Sequence, residues 1–92
     1  MLNKVQKHKE ICDKLNEIYK NKNHDYGDAY SLLRKEHPDS ILIRIFDKYQ
    51  RLGTLKHATN AVKDESIKDT LLDLANYCIM ELIELEMEKN EW

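Results

Sequence analysis

Ninety-two residues suffice for one domain, 1–92, near the lower end of what folds unaided. Hydrophobic residues make up 41% and charged residues 35%, so the chain is globular with a wet surface, and no apolar run approaches the roughly 20 residues of a membrane span. A net charge of −2 gives no general basic face of the kind nucleic-acid binding uses.

Only 2 Gly and 1 Pro argue for helices rather than a sheet with many turns. The fold class expected is all-α: a small bundle of four to five helices around a long C-terminal helix, with helices near 2–20, 28–36, 40–52, 55–61 and 64–88. The N-terminus lacks the apolar core of a signal peptide, so a cytoplasmic location is expected. Cys12 and Cys78 lie alone on apolar helix faces and read as reduced core thiols rather than a bridge.

In the first helix Leu2, Val5, Ile11, Cys12, Leu15, Ile18 and Tyr19 recur at three- and four-residue intervals. Glu10, Asp13 and Glu17 share the opposite face, where Lys7, Lys9, Lys14 and Lys20 can pair with them at helical spacing. Residues 21 to 28 have no periodicity, and Asn, Asp and Gly mark a loop that ends near Gly27, with Asp28 free to cap the next helix. This loop carries Lys22, His24, Asp25 and Tyr26. It is either an ordinary connection or a contact for a base or phosphate.

The short second helix is expected to bury Ala29, Leu32 and Leu33, with Tyr30 a further candidate, and stops at Pro38. The third, capped by Asp39 or Ser40, is expected to bury Ile41, Leu42, Ile45, Phe46, Tyr49 and Leu52 and to end at Gly53 as its C′ residue. Arg44, Asp47, Lys48 and Arg51 occupy the other side, either as surface ion pairs or as a face for phosphate. One or two turns with Leu55, Ala58 and Val62 lead to the longest helix, with Asp64 as its N-cap. The tail from Lys89 to Trp92 is expected to fray.

On a wheel with Glu65 at zero, Asn76, Asp69 and Asp73 fall between about 20 and 80°. Leu74, Ile67, Leu85, Cys78, Leu71, Leu82 and Ala75 fall between about 180 and 280°, and the wet face (Glu84, Tyr77, Thr70, Glu81) is narrow, roughly 100 to 160°. Acids at the shoulder of a core must be paired, hydrogen-bonded or bound to metal, although the helix N-terminus also favours them. Hard oxygen ligands suit Mg²⁺ or Mn²⁺, which could activate water for attack on a phosphoanhydride while Lys and Arg offset phosphate charge. Two of Glu65, Asp69 and Asp73, with a ligand such as Asp47 from another helix, is the realistic set, since i and i+8 lie about 12 Å apart along the axis.

Tyr26-Gly27-Asp28, Asp47-Lys48 followed by Arg51, and Glu65-Ser66-Ile67-x-Asp69-Thr70-Leu71-x-Asp73-Leu74-Ala75-Asn76-Tyr77 resemble the nucleotide-modification-associated domain, a small helical family common in phages. The resemblance runs from about residue 20 to residue 85. At greater distance the acid stripe is similar to the all-α MazG-like and dimeric dUTPase-like nucleoside triphosphate pyrophosphohydrolases. Glu65-x-x-x-Asp69 fits the second half of their acid pattern. The Glu-x-x-Glu of the preceding helix has no counterpart, since Asp47, Lys48 and Arg51 stand there.

The resemblance implies phage-type nucleotide metabolism in a host cytoplasm and a Mg²⁺-dependent (or Mn²⁺-dependent) hydrolase of a nucleoside or deoxynucleoside triphosphate, or a nucleotide-binding relative. Glu65 and Asp69 would be catalytic. Glu65, Asp69, Asp73 and Asp47 would hold metal, and Lys48, Arg51, Tyr26, His24 and Asn76 would bind substrate. A homodimer or higher homo-oligomer is expected, because the last helix carries more apolar surface than three short partners cover. The alternative is a small non-catalytic helical module for protein–protein interaction. Nucleic-acid binding has the least support.

Overall fold

The structure, a computed structural model, describes residues 3–26, 28–58 and 63–89, with Asp25 and Tyr26 described in backbone only. Four helices follow in order: α1 (Lys4–Tyr26), α2 (Ala29–Glu36), α3 (Ser40–Lys56) and α4 (Lys63–Lys89). The protein is all-α, a small bundle with a long C-terminal helix, and no strand occurs among the described residues. Among the described residues no helix is long and apolar enough to cross a membrane. The expectations at Leu2, Gly27, Val62, the 59–61 part of the fourth short helix and the tail 90–92 lie outside the described residues.

Local chemistry sets most of the ends. Asn3 caps α1, its Oδ1 accepting from Gln6 N at 3.1 Å. The exposed pairs Lys7–Glu10 (3.0 Å) and Lys9–Asp13 (2.9 Å) brace its first turns, as the spacing predicts. His37 N donates to Leu33 O at 2.8 Å to close α2, and Pro38 prevents its continuation. Asp28 and Asp39 stand at N-cap positions without making side-chain cap bonds.

Two boundaries differ from the sequence reading. The stretch from Asn21 onward is not a loop but the last turns of α1, which runs to Tyr26. Asn and Asp cost only about 0.5 kcal/mol each in a helix. Lys22 in this extension reaches Asp73 on α4 at 3.1 Å, a tertiary contact that periodicity cannot reveal. Gly53 does not end α3, which continues to Lys56. Glycine inside a helix costs about 1 kcal/mol, and Leu52 and Leu55 on either side are half-buried and hold the helix through it.

α3 runs antiparallel to α4. Arg44 lies over Tyr77 and Lys48 faces Asp73, so rising numbers on one helix meet falling numbers on the other. α2 lies beside the C-terminal half of α4, joined by Tyr30 and Arg34 to Glu81. α1 is tied on by Asn76, whose Nδ2 donates to Leu15 O at 3.1 Å. Both residues are buried. Asn76→Ala removes this bond from a dry site and should cost about 1 to 2 kcal/mol, read as a lower midpoint in thermal melting.

The packed faces follow the expectation only in part: Ile41 and Leu52 of α3 and Ile67, Leu74 and Ala75 of α4 are half-buried as expected. On α4 the face read as wet is the one set against other helices: Thr70 is buried, and Tyr77, Glu81 and Glu84 are half-buried. Each polar group there has a partner. Thr70 Oγ1 donates to Ser66 O at 2.7 Å, Arg44 covers Tyr77, Arg34 holds Glu81, and Ser31 donates to Glu84. The apolar arc of Leu71, Cys78, Leu82 and Leu85 is exposed instead.

On α3 the turned-in residues are Ile41, Arg44, Lys48, Leu52 and Leu55, whereas Leu42, Ile45, Phe46 and Tyr49 are exposed. Cys12 and Cys78 are free thiols as expected, but exposed rather than core. Cys12 sits on the outer half of α1, where every described residue from Asn3 to Lys14 is exposed, and Cys78 lies on the outward arc of α4.

Candidate functional site: a cleft between α1, α2 and α4

The extended end of α1, the start of α2 and the inner face of α4 enclose a cleft of about 610 Å³, with Arg44 of α3 at its edge. Its floor is Asp73, Asn76, Tyr77 and Met80, one face of α4 at helical spacing. Its walls are Tyr19, Lys22 and Asn23 on one side and Tyr30 and Ser31 on the other.

At one end, cations gather around a single carboxylate. Asp73 takes Lys22 at 3.1 Å from α1 and Lys48 at 3.4 Å from α3. Burial by itself would raise the Asp73 carboxyl. The Lys22 hydrogen bond and the two ammonium charges outweigh it and hold the group below the ordinary carboxylate value. One turn before Lys48 along α3, the Arg44 guanidinium sits 5.2 Å from the centre of the Tyr77 ring. Tyr77 in turn packs on Tyr30, with ring centres 6.0 Å apart and planes inclined by 52°.

At the other end, hydrogen bonds fix the α2 wall. Tyr30 OH donates to Glu81 Oε1 at 2.8 Å. Arg34 grips both Glu81 oxygens, at 2.9 and 3.0 Å, and reaches Glu88 at 2.7 Å. Burial, then the Glu81 carboxylate, push the Tyr30 phenol up to about 12, so it is a neutral donor at every physiological pH. The Arg34 bond, against opposing burial, holds Glu81 below the ordinary glutamate value.

Asp73 and Glu81 give stability a pH dependence of definite sign. Both carboxyls have depressed folded-state pKa values. Their contribution is fully present above the unfolded values, about 3.9 for Asp and 4.3 for Glu. It is lost as pH falls through the folded values. Melting temperature should therefore hold steady toward neutrality and drop below about pH 4. A rise in melting temperature on acidification would contradict both assignments.

The site residues read from sequence separate into two groups. Asp73, Lys48 and Asn76 are gathered at or beside the cleft, with the Asn76 amide already committed to Leu15. Glu65, Asp69, Arg51 and His24 are exposed on helix surfaces. Asp47 is exposed and stands 3.8 Å from Lys48. The Tyr26 side chain lies outside the described residues.

Among the described residues no three His, Cys, Asp or Glu side chains gather where one ion could bridge them. A divalent cation at Asp73 would meet two ammonium groups at contact distance. Among the described residues the donors around Asp73 therefore do not fit Mg²⁺ or Mn²⁺.

Tyr30, Ser31, Arg34 and Tyr77 also build the site, and sequence reasoning passed over them as site residues. Their partners lie about fifty positions away, so no local spacing marks them. The one usable signal is that α2 places Tyr30 and Arg34 four apart, on one face, opposite the Glu81-x-x-Glu84 spacing of α4.

What these features define is an all-α domain with an aromatic cleft, cationic at one end. Over residues 22–85 the chain matches the model of the family described as Nucleotide modification associated domain 1, and it belongs to that family. The match begins at Lys22, on the cleft wall, and ends at Leu85, past its floor. No curated protein and no solved structure matches the chain.

Proposed function

We propose that this protein binds a nucleoside or deoxynucleoside phosphate in the α1–α2–α4 cleft and acts in nucleotide metabolism through it. The observation that carries the reading is the convergence of Lys22, Lys48 and Arg44 beside the Tyr77 ring at the mouth of a 610 Å³ cleft. Phosphate oxygens suit the two ammonium groups and the guanidinium, each charged hydrogen bond contributing about 1.5 to 3 kcal/mol. A base meets an aromatic lining of Tyr19, Tyr30 and Tyr77, and base–aromatic stacking is worth roughly 1 to 3 kcal/mol where it has been measured by truncation. The family's description, nucleotide modification associated, is consistent with such a ligand. Tyr30 and Ser31, each donating to a glutamate of α4, fix the wall of the cleft at its other end.

The test is titration calorimetry with each common nucleoside and deoxynucleoside triphosphate, in chelator and then with Mg²⁺ or Mn²⁺, with product separation on the same samples. Binding in chelator, weakened about ten- to a hundredfold by Lys22→Ala, is the expected result. No binding of any nucleotide overturns the proposal. Release of monophosphate and pyrophosphate with Mg²⁺, abolished in Asp69→Asn, would instead make the protein a metal-dependent pyrophosphohydrolase and overturn the metal-free reading.

A further inference from the structure

The single chain leaves an apolar stripe on each of α3 and α4 turned to solvent. On α4 Thr70, Tyr77, Glu81 and Glu84 are turned in together with Ile67, Leu72 and Leu74, while Leu71, Cys78, Leu82 and Leu85 are turned to solvent; on α3 Leu42, Ile45, Phe46 and Tyr49 are likewise exposed. On α4 the outward residues Leu71, Cys78, Leu82 and Leu85, with half-buried Ala75 between the first two, follow alternating spacings of four and three, the a/d seam of a helix that packs on another helix. Leu71, Leu82 and Leu85 are 49%, 45% and 40% exposed. On α3 the outward residues Leu42, Phe46 and Tyr49 are 63%, 64% and 69% exposed, with Ile45 beside them.

These two stripes form one surface. On the helical wheel the α3 stripe is centred about 115° from the direction of α4, and the α4 stripe about 100° from the direction of α3. Both turns have the same sense along their own chains. In an antiparallel pair equal senses put both stripes on the same side. α1 is tied to Asn76 and Asp73, on the opposite flank of α4, so it leaves this side open. The result is a two-helix layer that is apolar across one face, one half of a four-helix bundle.

The surface area points to the same occupant. A folded chain of 11.0 kDa ordinarily exposes about 5,600 Å². This chain exposes 7771 Å². The excess, about 2,000 Å², falls within the roughly 1,000 to 2,500 Å² per partner that obligate homodimers bury. The radius of gyration agrees: 15.1 Å, against about 12 Å for a compact chain of this length. Only Leu15 and Tyr30 are buried among the described apolar side chains, and none of the described side chains is fully buried, too little to hold a monomer folded.

The face presents Leu, Ile, Phe, Tyr and Cys and no charged residue between the two stripes' members, so it offers nothing for a charged partner to read. Two such layers related by a two-fold axis cover each other. We infer that the α3–α4 apolar face is the interface of an obligate homodimer, a four-helix bundle built from α3 and α4 of two copies.

Sedimentation equilibrium and thiol labelling test this on the full chain. The expected mass is twice 11.0 kDa. In wild type both Cys12 and Cys78 are exposed within one chain. Dimerisation through this face covers Cys78 and leaves Cys12 free, so a maleimide should label Cys78 at least about tenfold more slowly, with the protection lost on dilution. Phe46→Glu and Leu82→Glu should each give monomer or unfolded chain. Because those variants can fail to fold, the wild-type labelling stands as the deciding readout. A wild-type monomer at high micromolar concentration, or equal labelling of the two thiols in whatever assembly forms, overturns the inference.

Discussion

Arg34→Met should destabilise the protein by about 2 to 3 kcal/mol, the largest loss expected from any single polar side chain. The guanidinium makes the bidentate bond to Glu81 and a further bond to Glu88, and it shares Glu81 Oε1 with the Tyr30 hydroxyl. Removing one partner of a buried pair typically costs about 3 to 5 kcal/mol, because the remaining charge has lost its water and its counter-ion. Here both side chains keep 16% of their exposure, which lets water return in part and lowers the figure.

The loss would be local in origin. α2 has eight residues, too few to stand as a helix without tertiary contacts. Once Glu81 no longer holds Arg34, its remaining polar ties to α4 are the single bonds from Tyr30 and Ser31. Hydrogen exchange should show α2 amides losing protection before those of α4. The double variant Arg34→Met, Glu81→Met should recover most of the stability, because it removes the stranded charge together with its partner. If the double variant is as unstable as the single, the cost arises from packing of the Arg34 stem and not from the ion pair. The same single variant should weaken nucleotide binding, since Tyr30 and Ser31 form the cleft wall that α2 carries.

The contrast between what periodicity revealed and what it hid has one cause. The all-α class, the stop at Pro38 and the long last helix follow from local rules: few glycines, one proline and apolar recurrence. The direction each helix faces does not follow, because periodicity tells which residues share a face and not what covers it. Leu71, Cys78, Leu82 and Leu85 do lie on one stripe of α4, as the wheel shows, yet that stripe is outward in the chain. Thr70, Tyr77, Glu81 and Glu84 turn inward because Ser66, Arg44, Arg34 and Ser31 complete their polar groups. Those matches span up to about fifty positions and carry no local signature.

The candidate site follows the same division. Asp73 and Lys48 were visible as chemistry-bearing residues, and the acid stripe was visible as a stripe. That Asp73 alone enters the cleft, with Lys22 as a partner supplied by an extension of α1, depends on tertiary structure. The loop assigned to residues 21–28 concealed it. Asn and Asp mark a turn by preference only, and a preference of about 0.5 kcal/mol per residue yields to one tertiary ion pair and a few packed turns.

Asp73→Asn separates the two chemistries the cleft can serve, because they move its affinity in opposite directions. In the metal-free reading Asp73 is an internal competitor. Its carboxylate occupies Lys22 and Lys48 at 3.1 and 3.4 Å, the groups a phosphate needs. The amide keeps the shape of the side chain and removes the charge, so an incoming phosphate no longer displaces a carboxylate and no longer faces one. A like charge removed at such range in a half-solvated site is worth about 1 to 2 kcal/mol, or roughly tenfold in affinity.

The variant without ligand should melt lower, since two ammonium groups have lost their counter-ion. It should recover more than wild type when triphosphate is added, by mass action on the folded state. Lys22→Ala should shift affinity the other way, which excludes a general loosening of the cleft as the cause. Higher salt should reduce binding in both variants, as for any site built on partly exposed charges. Were Asp73 a metal ligand instead, Asn would abolish the Mg²⁺-dependent part of binding and raise nothing. Tighter binding of triphosphate to Asp73→Asn in chelator is the outcome the geometry requires; weaker binding there would overturn the competitor role, and loss of a Mg²⁺-dependent part of binding would return the acid stripe to the role its spacing first suggested.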